Sequence, residues 1–316
     1  MDNLTHSLVG AVLGQMGLKR KTALAMPTLI IAANLPDIDA GCAVYGIESL
    51  AMRRGITHGP IALLLLPLIL WAAMIAFDRW QARRGTRPVT RPALHKGWLL
   101  ALAYLGCLSH PVFDWLNNYG IRLLEPFSHR WFYGDTLFII DPWIWIVLGL
   151  SAWLSLRRER TGAPRWTRPA WIGFIAVCAY IFANGLITGR AEAQVADLLR
   201  RQGQGDALVV ASPPPLAFWR RDVFWREGGR YGSGAYALGS GSTVEPGVPT
   251  GMDDLRLRLW AKADPAARAF LFWARMPVAT RDGDAIVLRD QRFMQPLARD
   301  RFMVRVRAPD TASHAE

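Results

Sequence analysis

Cysteine is scarce: 316 residues hold three, Cys42, Cys107 and Cys178, with no CxxC spacing. That argues against a disulfide framework and a thiolate zinc site. Each lies in or beside an apolar run and reads as a small buried hydrophobe. There is no Gly-rich phosphate loop and no GxSxG, which excludes a phosphate-cradling nucleotide site and a serine-hydrolase elbow of the known kinds. The opening residues Met1-Asp2-Asn3 lack a basic n-region, so no cleavable leader is expected. Acidic residues are also short, at 25 Asp and Glu against 37 Lys and Arg. Much of the basic excess falls in short loops between apolar runs, where it orients a chain in a membrane. No nucleic-acid partner is expected.

Apolar sequence is plentiful. Hydrophobic residues make up 52% and there are 14 tryptophans, a residue favoured at membrane–water interfaces. Residues 4–18, 22–42, 59–77, 97–116, 137–156 and 170–188 are apolar runs, and 59–77 is the clearest span. The basic clusters at 19–21, 78–96 and 157–168 place their loops in the cytoplasm, and 43–58 and 117–136 face out. The expected fold is a mainly α membrane protein. It comprises a bundle of five or six transmembrane helices over 1–189, a small periplasmic α+β domain over 190–308, and a disordered tail at 309–316. The first run is short, and either crosses fully or is re-entrant.

Beyond residue 189 an amphipathic stretch, 190–202, leads into strand-like runs at 207–211, 218–225, 231–238, 286–289 and 302–306. Residues 264–274 read as a helix capped by Asp264, with Pro265 in its first turn.

Eight ionisable residues stand where apolar segments tolerate them badly: His6, Asp37, Asp39, His58, His110, Asp114, Asp135 and Asp141. The topology, derived from Lys and Arg alone, puts all eight at the outer face. His110 and Asp114 are four apart and share one face of a helix. Imidazoles and carboxylates together suit Zn²⁺ best, with Mn²⁺ or Fe²⁺ also compatible. Such a site would acidify a bound water. A spare carboxylate, Asp39 or Asp135, is the candidate catalytic group, either as general base or behind a ligating histidine. Each residue also has a plain reading. Asp37 and Asp39 suit an exposed turn, His58 a helix cap, Asp141 helix initiation, and His110 and Asp114 a hydrogen-bonded pair without metal. His129 shares the outer loop but has no spacing partner, and His95 falls on the cytoplasmic side. Arg53, Arg54 and Arg130 suit an anionic substrate or lipid headgroups equally well.

Thr5-His6-x-x-x-Gly10, Asn34-Leu35-Pro36-Asp37-Ile38-Asp39, Arg54-Gly55-Ile56-Thr57-His58 and His110-x-x-x-Asp114 together resemble the YdjM/YbcI-like bacterial inner-membrane family over roughly residues 1–190. That resemblance implies a metal-dependent hydrolase of the inner membrane. The order of His and Asp is also similar to zinc-dependent phospholipase C, and by that analogy His6, Asp37, His58, His110 and Asp114 are the metal ligands. The later histidine ligands of that enzyme's three-metal cluster have no evident counterpart beyond Asp114.

The expected function is therefore a membrane-bound hydrolase of a phosphoester or lipid-linked substrate at the periplasmic face, with membrane lipid as partner. The alternative from a different class is a membrane scaffold or regulator whose metal is structural.

Overall fold

The computed structural model describes residues 1–295 and 300–308, so the tail expected at 309–316 lies outside the described residues. The chain divides into two compact units. The first comprises Met1–Asp39, Arg54–Leu186 and Pro214–Phe218, and the second Ala40–Arg53, Ile187–Pro213 and the residues from Trp219 onward.

The first unit is helical. It contains α1 (Asn3–Gln15), α2 (Ala25–Asn34), α4 (Pro60–Arg83), α5 (Lys96–Trp115), α6 (Pro142–Arg160) and the first part of α7 (Arg168–Arg201). Asp2 starts α1 by accepting the Leu4 and Thr5 amides, and Asp141 starts α6 by accepting those of Trp143 and Ile144. Two apolar clusters hold the helices. One joins Val9, Val12 and Leu13 of α1 to Leu29, Leu102, Ile144 and Leu148, and the other joins α2, α4 and α5 through Ala32, Leu70, Met74, Leu99 and Ala103.

Helix α2 is flanked closely on two sides. A Cβ on Gly10 of α1 would come within 2.8 Å of the Leu29 carbonyl, and one on Gly106 of α5 would meet the same oxygen at 2.8 Å and Ala32 Cβ at 2.7 Å. Bare backbone at these two positions lets both neighbours approach α2. His6 lies one turn before Gly10 and His110 one turn after Gly106. The helices run in opposite directions, so the two rings arrive at the same end.

The expected bundle of five or six transmembrane helices does not form. Among the described residues, α4 with 24 residues and α7 with 34 are the two helices long and apolar enough to cross a membrane. The run 4–18 yields a helix of 13 residues, and 22–42 yields one of 10. At 1.5 Å per residue these reach about 20 and 15 Å, against about 30 Å of hydrocarbon. After Asn34 the backbone tightens into 3₁₀ turns over Leu35–Glu48, broken by a kink at Gly46, and then the short α3 (Ser49–Met52). Helices α5 and α6 have the length, but Lys96, His110 and Asp114 dilute the first, and Arg157, Arg158, Glu159 and Arg160 the second. The amphipathic stretch at 190–202 is not separate: it continues α7 without a break. Both candidate spans leave apolar side chains exposed, among them Leu64, Leu65 and Ile69 on α4 and Ile172, Ile175 and Phe182 on α7. Of the cysteines only Cys107 is buried; Cys42 is half-buried and Cys178 exposed.

The second unit carries two antiparallel sheets. β1 (Leu208–Ser212), β2 (Arg220–Glu227), β3 (Arg230–Ala237) and β4 (Gly241–Val244) lie in that order, and β5 (Val248–Pro249) also pairs with β3. After α8 (Leu255–Ala263) and α9 (Pro265–Trp273) come β6 (Pro277–Asp282), β7 (Ala285–Asp290) and β8 (Met303–Val306), in order β6-β7-β8. Asp264 caps α9 with Pro265 in the first turn, matching the sequence expectation. The end of α7 packs Ala191, Val195 and Leu199 against Ala211, Val223, Trp225 and Tyr236. In this unit Asp290 and Arg292 form a buried ion pair at 2.8 Å, and the Arg292 guanidinium lies 5.3 Å from the centre of the Trp273 ring.

Candidate metal centre

Where the start of α1 meets the end of α5, bringing His6 to His110, four acidic and imidazole side chains converge. Asp37, His58, His110 and Asp114 each offer one ligand atom, and these atoms lie within 4.8 Å of one another. Three separate stretches build the group. Asp37 sits in the 3₁₀ turn after α2, where Pro36 follows the helix end. His58 ends a one-turn 3₁₀ helix just before Gly59, where a Cβ would come within 1.9 Å of the Glu125 carbonyl oxygen. His110 and Asp114 come from the last turns of α5. All four are buried, at 7% exposure for Asp37 and 0% for the rest.

The hydrogen bonds behind the two histidines fix their tautomers. His110 Nδ1 is 2.7 Å from the Ala33 carbonyl oxygen, which can only accept, so Nδ1 carries the proton and Nε2 is bare. His58 Nδ1 is 2.9 Å from Thr57 Oγ1, and that hydroxyl donates onward to Asp39 Oδ2 at 3.0 Å. The Thr57 oxygen therefore accepts from His58 Nδ1, again leaving Nε2 bare. The two Nε2 atoms stand 3.1 Å apart, each 3.4 Å from Asp114 Oδ2. Two lone pairs and a carboxylate oxygen turned on one point repel one another unless a cation lies among them. Burial lowers the basicity of His58, outweighing the nearby Asp114 carboxylate that would raise it, which disfavours a proton as that cation. Two neutral imidazoles and two carboxylates make a donor set that a divalent metal fits.

Asp114 is the electrostatic centre. Burial alone would raise its carboxyl, but the Arg54 guanidinium and the Met1 amino group hold it well below the usual range. Arg54 Nε lies 3.0 Å from Oδ2, and the Met1 α-amino group bonds Oδ1. Arg54 is itself held by Asn117 Oδ1 at 3.0 Å and lies over the Tyr119 ring.

The remaining sequence candidates divide. His6 is 1% exposed, stacks on His110 at 3.8 Å between ring centres, and places Nε2 3.3 Å from Asp114 Oδ1. Neither of its nitrogens makes a hydrogen bond of acceptable geometry, and burial takes its pKa down to about 3. It borders the group of four without belonging to it. Asp39 lies behind His58, accepting from the Arg54 amide at 2.7 Å and from Thr57. Asp135 lies outside the group. Asp141 caps α6 and accepts from the Tyr180 hydroxyl at 3.0 Å. His129 is exposed and pairs with Glu125, and His95 lies at the start of α5, the end remote from His110.

The family model for the YdjM inner membrane protein matches residues 1–191, the stretch that contains every one of these side chains. The chain belongs to the YdjM family. No curated protein and no solved structure matches it, so the similarity to zinc-dependent phospholipase C finds no support. Three participants in this YdjM site escaped the sequence reading: the Ala33 carbonyl, the Thr57 hydroxyl as a relay, and Arg54 as the partner of Asp114. Thr57 had a local signal beside His58, and Arg54 stood out as a contact for an anionic substrate or headgroup, whereas the structure buries it against Asp114.

Proposed function

We propose that the chain is a membrane-bound, metal-dependent hydrolase acting on a phosphoester or lipid-linked substrate at the periplasmic face. The observation that carries the reading is the pair of bare Nε2 atoms at 3.1 Å, facing each other and the Asp114 carboxylate. His58, His110, Asp114 and Asp37 are the holding residues, with His6 as a further donor at the edge. A divalent cation bound there, most compatibly Zn²⁺, supplies Lewis acidity and a water acidified toward neutrality. Asp39 and Thr57 hold His58 in the tautomer that leaves Nε2 free. Asp135, outside the group, is not required for this reading. Membrane residence, by the family and the apolar α4 and α7, makes a lipid-linked substrate the natural class. The C-terminal residues then lie on the periplasmic side, because α7 starts among Arg157, Arg158, Arg160, Arg165 and Arg168 and runs away from them.

A structural metal is the second reading, and one observation favours it. His58, His110 and Asp114 are fully buried, as in a closed site, whereas a catalytic metal keeps an open position. Elemental analysis of the purified protein tests both readings, with about one divalent ion per site expected in the wild type and none after His110→Ala with Asp114→Ala. Metal-dependent cleavage of a phosphodiester by the wild type selects the hydrolase. Metal-dependent melting with no turnover selects the structural site. A wild type that binds no metal overturns both.

A further inference from the structure

We infer that the end of the first unit opposite the metal centre carries a binding site for the phosphate headgroup of an anionic glycerophospholipid. The inference rests on membrane residence and not on the metal chemistry. From Lys96 to His110 α5 rises about 21 Å, so the start of that helix is remote from the cluster.

At that end lies a groove lined by Lys19, Arg20, Arg91, Leu24, Met26 and Pro92 among others. Its walls are tied together by two hydrogen bonds: the Ala23 amide donates to the Ala93 carbonyl at 3.2 Å, and the His95 amide donates to the Thr22 side-chain Oγ1 at 2.8 Å. Its lining is apolar at Ala23, Leu24, Ala25, Met26, Pro27 and Pro92, with Ala23 and Ala25 buried, and basic at Lys19, Arg20 and Arg91. Five cations stand in or beside the groove, Lys19, Arg20, Lys21, Arg87 and Arg91, against two carboxylates, Glu159 and Asp78. The surplus is not a diffuse solvated patch. Lys19 and Arg20 lie 5.0 and 4.5 Å from the centre of the Trp166 ring, and Lys21 lies 5.0 Å from that of Trp98. Aromatic seats hold the cations in place before any ligand arrives.

The chemistry of the groove matches a lipid in both its parts. A phosphodiester headgroup is satisfied by several fixed cations, and the apolar lining accepts the glycerol and the upper acyl carbons. Trp98 on α5 and Ile31 on α2 are exposed, at 45% and 43%, and give the chains an apolar path away from the groove. Basic residues that only orient the chain need neither the apolar lining nor the aromatic seats. This surface lies at the basic end, which faces the negative cytoplasmic leaflet.

The test uses the full chain in nanodiscs or detergent, titrated with phosphatidylglycerol, phosphatidylcholine or inorganic phosphate, with melting as the readout. Phosphatidylglycerol is expected to stabilise the wild type at concentrations where phosphatidylcholine does not. Arg20, with 62% of its side chain exposed, can be changed without disturbing the fold. Arg20→Gln is expected to weaken the phosphatidylglycerol response about fivefold, and Lys19→Gln with Arg20→Gln and Arg91→Gln to abolish it, at roughly fivefold per charge near such a surface. Neutralising Arg158 and Arg160, equally basic but outside the groove, is expected to leave it unchanged. Equal stabilisation by phosphatidylcholine, an equal loss in the Arg158 and Arg160 variant, or an undiminished response in Arg20→Gln would overturn the site. An equal shift from inorganic phosphate would reassign it to a soluble anion and overturn the lipid.

Discussion

Asp39 shows how a residue's role is set by what surrounds it. It is a carboxylate two positions from Asp37, and spacing alone gives the two equal claim to a metal. The fold turns Asp37 toward His110 and leaves Asp39 behind His58, accepting from the Thr57 hydroxyl and the Arg54 amide. The Thr57 hydroxyl can serve two partners only by donating to Asp39 and accepting from His58, so the relay sets the imidazole tautomer. Thr57→Val keeps the shape and removes the relay. It should weaken metal affinity about 10–100-fold without abolishing it, read by competition with a metallochromic chelator. Unchanged affinity would mean that the tautomer of His58 is set elsewhere. The identity of the donors was legible in the sequence because histidine and aspartate in apolar surroundings are costly enough to stand out. The Ala33 carbonyl was not legible, since every residue carries one.

Among the elements, α2 and its two neighbours decide whether the donors meet. Gly10 and Gly106 allow α1 and α5 to approach its backbone, and His110 then reaches the Ala33 carbonyl at the end of the same helix. A Val at Gly106 would push α5 off Leu29 and Ala32. Gly106→Val should cost about 1–3 kcal/mol of stability and release bound metal together, by denaturant melt and elemental analysis. Gly97 on the same helix has nothing within 4 Å of its would-be Cβ. Gly97→Ala should therefore leave metal content intact, with stability equal or higher by about 0.5–1 kcal/mol. Segment boundaries were harder to read than donors. An apolar run does not reveal where its backbone leaves the α-helix, and 22–42 hides a change to 3₁₀ geometry after Asn34. Conversely, the polarity shift near 189 is not a helix end, because α7 needs only backbone hydrogen bonds to continue.

For the whole molecule, each of the two units carries its own buried, cation-paired carboxyl and so its own loss of stability in acid, Asp114 in the first and Asp290 in the second. In the second unit burial alone would raise the Asp290 carboxyl, but Arg292 and the amides of Met276 and Arg292 hold it below the ordinary value. A carboxyl depressed by folding adds stability that is complete above its unfolded value of about 3.9 and is lost as pH falls through the lower folded value. The unit should therefore lose stability below about pH 4, read as an acid-dependent fall in melting temperature that Asp290→Asn diminishes. Asp290→Ala should destabilise it by about 3–5 kcal/mol at neutral pH, because Arg292 would remain buried without its partner. A melt of the variant equal to the wild type would show that Arg292 finds other acceptors.

By itself the sequence determined the chemical inventory and its distribution. It gave the donors, the basic loops and the apolar α4, together with several strands and the capped helix α9. These follow from side-chain chemistry and short-range periodicity, which act over one or two turns. The tertiary structure alone decided how many helices can span a membrane, since run length overstates helix length wherever the backbone kinks. It also decided which acids face the cluster, that Arg54 neutralises Asp114, and that two bare imidazole nitrogens face each other. Those facts depend on approach distances between segments as far apart as residues 37, 58 and 114, which no local pattern encodes.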